Sequence, residues 1–192
     1  MTLFRKRLDF LPSQRDVAVQ DIFRACHSNN SHAGNDKIAL SFPDTAGQSF
    51  GLCAYLYAEQ EETLSRFEEH FLLRLESVFP STINEDCSDM PAVRVYTRKR
   101  DDRYGTDAAV ERRLRRMARR NPDLDVNTIR TEMSKKIEQA DRPSVSLISS
   151  STKRRFSLFM GSKAVEAGIA VNISDIGAYG LSSSEIPVPL PA

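Results

Sequence analysis

Six arginines fall within the run ERRLRRMARRN, Glu111 to Asn121. Read as a helix, this run puts Arg112, Arg116 and Arg120 on one face at i, i+4 and i+8, with Arg115 and Arg119 beside them. Only Glu111 is at hand to offset them. A guanidinium is permanently charged, and its planar fork matches pairs of phosphate oxygens. The spacing therefore points to a polyanion, nucleic acid above all; the plainer alternative is a solvated surface helix. From Arg94 to Arg120 there are eleven Lys/Arg against four Asp/Glu, a local +7 in a chain that nets +1. The remainder is mildly acidic, so the positive charge is concentrated rather than spread.

A second group is the hydroxyl cluster Ser149-Ser150-Ser151-Thr152, followed by Lys153-Arg154-Arg155. It reads either as a polar turn or as a phosphate cradle, in which hydroxyls and backbone N–H groups hold oxygens while cations neutralise them. Phe156, next in line, is either a core side chain or a platform for a base. His27 stands where a helix gives way to the polar loop SNNSHAGND. A histidine there can serve as a surface or C-terminal cap residue, or as a proton carrier with an ordinary pKa near 6.5.

Other chemistry is poorly supplied. Cys26, Cys53 and Cys87 are widely spaced and form no CxxC pair, and His27, His32 and His70 make no metal set. No P-loop and no Gly-rich dinucleotide turn occurs. An enzyme of this composition is expected to use neither metal nor nucleotide cofactor. No apolar run approaches the roughly 20 residues of a bilayer span, and MTLFRKRLDFLP lacks the apolar stretch of a secretory signal, so a cytoplasmic location is expected.

These groups need a scaffold. Residues 3–8 alternate as a short strand. Ser13 and Asp16 are spaced as a capping box for a helix carrying Val19, Ile22, Phe23 and Cys26 and ending at His27. Strands follow at Lys37 to Phe42 and Phe50 to Tyr57. A second helix carries Leu64, Phe67, Phe71, Leu75 and Val78, and Ala92 to Tyr96 returns as a fourth strand. That order, β-α-β-β-α-β, is the ferredoxin-like arrangement, which also serves RNA-binding modules of the RRM type. Beyond it, Asp107 caps the arginine helix, whose apolar stripe is Val110, Leu114 and Met117, and Asn121-Pro122 stops it. Asp125 caps a further helix with Val126, Ile129, Met133 and Ile137. Strands are expected at Ser144 to Ser149, Arg155 to Met160 and Ile169 to Ile173, before the extended tail IPVPLPA. The expected fold class is α+β: a ferredoxin-like domain at 1–96 and an α+β domain at 97–192.

Four blocks, in order, resemble the RNA-processing endoribonucleases of type I-F CRISPR systems. KIALSFPD (Lys37 to Asp44) resembles the strand after their catalytic histidine, and His27 precedes Ser41 by their characteristic gap. ERRLRRMARRN resembles their arginine-rich helix. SLISSSTKRRFSLF (Ser146 to Phe159) resembles their Ser-x-Ser-Thr segment ending in Phe, and AYGLSSSEIPVPLP (Ala178 to Pro191) their Tyr-Gly-Leu-Ser tail. The stretch from about 45 to 90 is poorly matched.

The resemblance implies an enzyme that cuts CRISPR precursor RNA at the base of the repeat hairpin, without metal, through the RNA's own 2′-hydroxyl. It implies that the product hairpin stays bound and that the protein joins the backbone subunit of the surveillance (Cascade) complex. By position, His27 resembles the catalytic histidine, Ser149 the serine that orients the 2′-hydroxyl, and Tyr179 a tyrosine near the active site. Ser151 and Thr152, with Lys153 beside them, resemble residues that hold the RNA backbone. Phe156 resembles the aromatic that stacks on the last base pair. Arg115, Arg116, Arg119 and Arg120, with Arg112 on the same helix, resemble the arginines that enter the stem groove. Where the family reads stem bases with an arginine and a glutamine, this chain has Arg98 and Arg100, and arginine pairs with guanine edges. The tail SSSEIPVPLP also resembles variant and transposon-associated type I-F systems. A non-catalytic hairpin-binding protein and a DNA-binding module with the helix in a major groove are the competing expectations.

Overall fold

The computed structural model describes residues 2–34, 36–99, 107–138, 142–149, 152–166, 171–183 and 186–191. Internal contacts divide the chain into two compact units: Met1–Lys99 together with Pro143–Ala192, and Arg100–Arg142. The described residues form an α+β protein with two antiparallel sheets and four α-helices.

The first unit opens with β1 (Phe4–Phe10), α1 (Arg15–Asn30), β2 (Ala39–Ser41), β3 (Cys53–Ala58), α2 (Glu61–His70) and β4 (Val78–Pro80). The strands lie in the order β2-β3-β1-β4, and a two-residue β5 (Glu85–Asp86) extends the pairing of β1 at its other end. The β-α-β-β-α-β order is thus closed by Val78–Pro80, not by the expected Ala92 to Tyr96. The free edge of β1 is already taken by these two shorter, earlier segments. Expected α2 residues Leu75 and Val78 also lie outside the helix. Phe71 leaves the helical region, Leu72–Arg74 tighten into a 3₁₀ turn, and Leu75 is extended, which frees the chain to return as β4.

Helix α1 presents the expected stripe, since Val19, Ile22, Phe23 and Cys26 are all buried. Its ends differ from expectation. Gln14 takes the N-cap position with no side-chain cap bond, and Asp16 pairs with Arg15 instead of completing a capping box with Ser13. The helix runs on to Asn30, so His27 belongs to its last turn. On β1 the inward positions are Lys6, Leu8 and Phe10. The Lys6 ammonium is buried but satisfied, with Glu68 of α2 at 2.7 Å and the Ser81 carbonyl at 2.9 Å. Glu68 itself is half-buried and tied to Lys6.

The second sheet has the order β7-β8-β6-β9, built from β6 (Ala92–Lys99), β7 (Ser144–Ile148), β8 (Arg155–Ala164) and β9 (Pro189–Pro191). The eight-residue β6 sits between β8 and β9, with Val95 and Tyr96 buried. The proline-rich tail pairs as an edge strand, the position in a sheet that tolerates proline's missing N–H. Of the strand expected at 169–173, residues 169 and 170 lie outside the described residues, Val171 and Asn172 are not in a strand, and Ile173–Asp175 form a 3₁₀ turn. One hydrophobic cluster runs through both sheets, from Leu8 and Phe23 to Leu158 and Leu190.

The second unit is a helix pair, α3 (Asp107–Arg120) and α4 (Val126–Glu138). Val110 and Leu114 are buried, and Met117, Val126 and Ile129 pack on them. The Asp125 carboxylate caps α4, accepting from the N–H groups of Asn127 and Thr128. Asp107 opens α3; its side chain, like those of Met133 and Ile137, lies outside the described residues. Among the described residues no helix is long and apolar enough to cross a membrane.

Candidate active site

His27 gains its surroundings from a turn that arrives from the far end of the sequence. Asn30, one turn further along α1, is 7% exposed. Its amide donates to the carbonyls of Ile38 and Gly177, and its carbonyl accepts from the Ile38 N–H. Lys37 donates to the carbonyls of Ser174 and Ile176, and the Leu40 N–H to that of Gly180 at 2.7 Å. These bonds fix residues 174–180 to α1 and β2. The turn closes on itself through Gly177 N–H to Leu181 O and Gly180 N–H to Gly177 O. Gly180 has φ +74°, and a Cβ there would meet Leu40 at 3.0 Å, so only glycine fits without strain. From Ser182 onward the chain follows β6, with Ser182 N–H donating to Tyr96 O and Arg98 N–H to Ser182 O.

The result is that Tyr179 lies against three other candidates. Its ring stacks on the imidazole of His27 with centroids 4.5 Å apart and planes 9° apart. The Arg98 guanidinium lies over the same ring at 5.0 Å. Phe156, from β8, meets it edge-on at 6.2 Å. Ser31 Oγ lies 3.3 Å from Nδ1 of His27 and engages one of the two ring nitrogens.

Burial, followed by the charges of Arg98 and His32, holds the His27 pKa below its ordinary value. The imidazole is thus neutral at pH 7 and able to accept a proton. Burial raises the Tyr179 phenol pKa, and Arg98 opposes the shift; the phenol is protonated at neutral pH and can donate a hydrogen bond.

The hydroxyl segment lies on the β7–β8 hairpin. Phe156 pairs with Leu147, so Ser149 stands about 7 Å further along its strand. Ser149 N–H donates to Arg154 O, Lys153 N–H to Ser149 O, and Thr152 N–H to Ser149 Oγ at 3.2 Å. Lys153 takes φ 55°, which costs a residue with a Cβ roughly 1–2 kcal/mol. Thr152, Lys153 and Arg154 are exposed. Ser151 and Arg100 lie outside the described residues.

The structure thus brings His27, Tyr179, Arg98 and Phe156 together, and sets Ser149, Thr152 and Lys153 on the turn of the strand pair that carries Phe156. In the second unit, Arg112, Arg115, Arg116, Arg119 and Arg120 are all exposed on α3. Sequence reasoning passed over Asn30, Lys37 and Gly180, the residues that hold Tyr179 in place. A glycine directly after a candidate tyrosine was the available signal, since it marks a left-handed turn.

The sequence that carries these residues has a counterpart among known families. The profile of the CRISPR-associated protein family Cas_Csy4 matches residues 11–190. The chain belongs to that family. It is accordingly a CRISPR-associated RNA-processing protein. The match spans the helix of His27, the arginine helix, the hydroxyl hairpin and the tyrosine turn alike. A comparison with curated proteins found no match.

Proposed function

We propose that the protein is a metal-independent endoribonuclease. It cleaves CRISPR precursor RNA at the base of the repeat hairpin and remains on the 3′ hairpin of the product as a subunit of a type I-F surveillance complex in the cytoplasm. The observation that carries this reading is the stack of His27 on Tyr179 under the Arg98 cation.

The chemistry follows from those groups. The nucleophile is the 2′-hydroxyl of the nucleotide before the cut, so no water has to be activated. The neutral imidazole of His27 takes the proton from that hydroxyl as its oxygen attacks phosphorus. The bond to the 5′-oxygen breaks and that oxygen takes up a proton, from the imidazolium just formed or from solvent, leaving a 2′,3′-cyclic phosphate, or a 3′-phosphate after hydrolysis, and a 5′-hydroxyl. Ser149 orients the 2′-oxygen for in-line attack, and positioning of this kind is a large effect. Tyr179 holds the imidazole flat and limits its rotation.

Binding is divided between two regions. Phe156 stacks on the last base pair of the stem, while Ser151, Thr152 and Lys153 hold the backbone beside it. Arg98 and Arg100 read base edges near the stem base. Arg112, Arg115, Arg116, Arg119 and Arg120 line the groove of the hairpin, whose end is more open than a regular A-form duplex. On this reading residues 1–96 carry the catalytic histidine and 97–192 most of the RNA contacts. The backbone subunit of the complex is the expected protein partner.

The test is a synthetic repeat hairpin with deoxyribose at the nucleotide before the cut. The unmodified RNA is cut once at the stem base in EDTA, and the deoxy version is bound equally well and not cut. Cleavage of both would overturn 2′-hydroxyl attack.

A further inference from the structure

A stack fixes the plane of a ring but not the edge it offers. Flipped about its Cβ–Cγ bond, the imidazole of His27 would lie on Tyr179 equally well, with a carbon where each nitrogen had been. Only a bond to one particular nitrogen separates the two orientations. Ser31 makes that bond, with Oγ 3.3 Å from Nδ1. The separation is long, as catalytic hydrogen bonds often are until substrate is in place.

The position of Ser31 is set by the helix. It is the C-cap of α1, at φ −67° and ψ −19°, and its own N–H donates to the His27 carbonyl at 3.1 Å. One residue thus holds His27 by main chain and side chain together. Among the described residues, Ser31 alone tells the two ring nitrogens apart by a hydrogen bond.

The direction of the bond decides what the other nitrogen can do. If the hydroxyl donates to Nδ1, the hydrogen of the neutral ring sits on Nε2, and neither nitrogen is left to accept from a substrate. If Nδ1–H donates and Oγ accepts, Nε2 keeps its lone pair. Two features favour the second arrangement. The last turn of a helix is the negative end of its dipole, which attracts an N–H rather than a lone pair. Ser31 is also exposed, so its own O–H can turn to water.

We propose that Ser31 is a positioning residue: it accepts from Nδ1–H of His27, holds the ring in that tautomer and presents the Nε2 lone pair to the 2′-hydroxyl. The catalytic use rests on the nuclease reading; the tautomer does not. When Nε2 takes the proton, the ring becomes an imidazolium and Nδ1–H becomes the stronger donor of a charge-assisted bond. Ser31 therefore supports the ring before and after proton transfer.

The experiment compares the wild type with Ser31→Ala and Ser31→Thr. Nuclear magnetic resonance of the His27 ring nitrogens, without RNA and at a pH where the ring is neutral, reads the tautomer. Single-turnover cleavage of the repeat hairpin in EDTA reads the rate. The wild type holds mainly the Nδ1–H form. Ser31→Ala shifts toward the Nε2–H form and cuts about three- to tenfold more slowly, the worth of one hydrogen bond, with hairpin affinity unchanged. Ser31→Thr, which keeps the hydroxyl, restores both. Ser31 is exposed and its main-chain bond survives in each variant, so both fold. A wild-type ring in the Nε2–H form overturns the proposal, as does Ser31→Ala with the tautomer and rate of the wild type. A slower Ser31→Ala with an unmoved tautomer also overturns it, because the hydroxyl would then act elsewhere. A tautomer that shifts as expected in a protein that never cuts the hairpin overturns the nuclease reading and the positioning role together, and leaves only the bond.

Discussion

The rings of His27 and Tyr179 lie parallel at 4.5 Å, although one belongs to the first helix and the other to the closing turn of the chain. Neither could find the other without the bonds that Asn30, Lys37 and Leu40 make to residues 174–180. The candidate active site is thus completed by the tail of the sequence.

Replacing the Tyr179 ring separates positioning from proton chemistry. Tyr179→Phe keeps the stacked ring and should cleave close to the wild-type rate. Tyr179→Ala lets the imidazole turn and should lower kcat by up to about a hundredfold, with hairpin affinity little changed. Single-turnover rates at saturating enzyme measure both. Equal losses in the two variants would assign the role to the hydroxyl instead.

The low pKa of His27 gives a signed pH dependence. Burial, Arg98 and His32 all disfavour the imidazolium. As the base, His27 is active in its neutral form, so the rate falls only as pH drops through a midpoint below 6.5 and is level through neutrality. Arg98→Ala removes one of the lowering charges and moves the midpoint up. NMR titration of the His27 ring protons in both proteins, without RNA, reads this directly. An unchanged or lower midpoint in the variant contradicts the electrostatic account.

The exposed arginines of α3 should act through charge alone. Arg116→Ala with Arg120→Ala should weaken hairpin binding and flatten the slope of log affinity against log salt by about 1.4 to 1.8. Both side chains are exposed, so unfolding free energy should stay within about 0.5 kcal/mol of wild type. Filter-binding titrations from low to high salt, alongside urea melts, test the two halves of this statement.

Asn30 carries the structural side of the site. Asn30→Ala leaves the Ile38 N–H and two carbonyls without their side-chain partner in a buried place, a cost of about 2–3 kcal/mol. The same change loosens the turn that carries Tyr179, so cleavage should fall even where the protein is fully folded. Urea denaturation and cleavage at low temperature separate the two effects.

Much of the frame was legible because it rests on local periodicity. The apolar stripes of α1 and α3, the Asp125 cap and the stop at Asn121-Pro122 follow from spacing and capping chemistry. The partner of β1 was not legible. Val78–Pro80 is three residues long with one buried side chain, too short to compete on paper with Ala92–Lys99. Choosing between them depends on which edges remain free once β3 and β8 have paired. Within the site, the types of His27, Tyr179 and Phe156 carried the signal. Their meeting depends on Asn30 and Lys37, which in the sequence look like a polar loop residue and the opening residue of a strand. The early end assigned to α1 has the same origin, since Asn30 extends the helix through tertiary bonds rather than propensity.

The central claim is that His27 performs the proton transfer in RNA cleavage. The direct measurement is cleavage of a synthetic repeat hairpin in EDTA by the wild type and by His27→Ala, with binding followed on the same RNA. The wild type should cut once at the stem base. The variant should lose at least about a hundredfold to ten-thousandfold in rate while binding the hairpin with nearly unchanged affinity. A variant that still cuts at the wild-type rate, or a wild type that binds tightly and never cuts, would contradict the account.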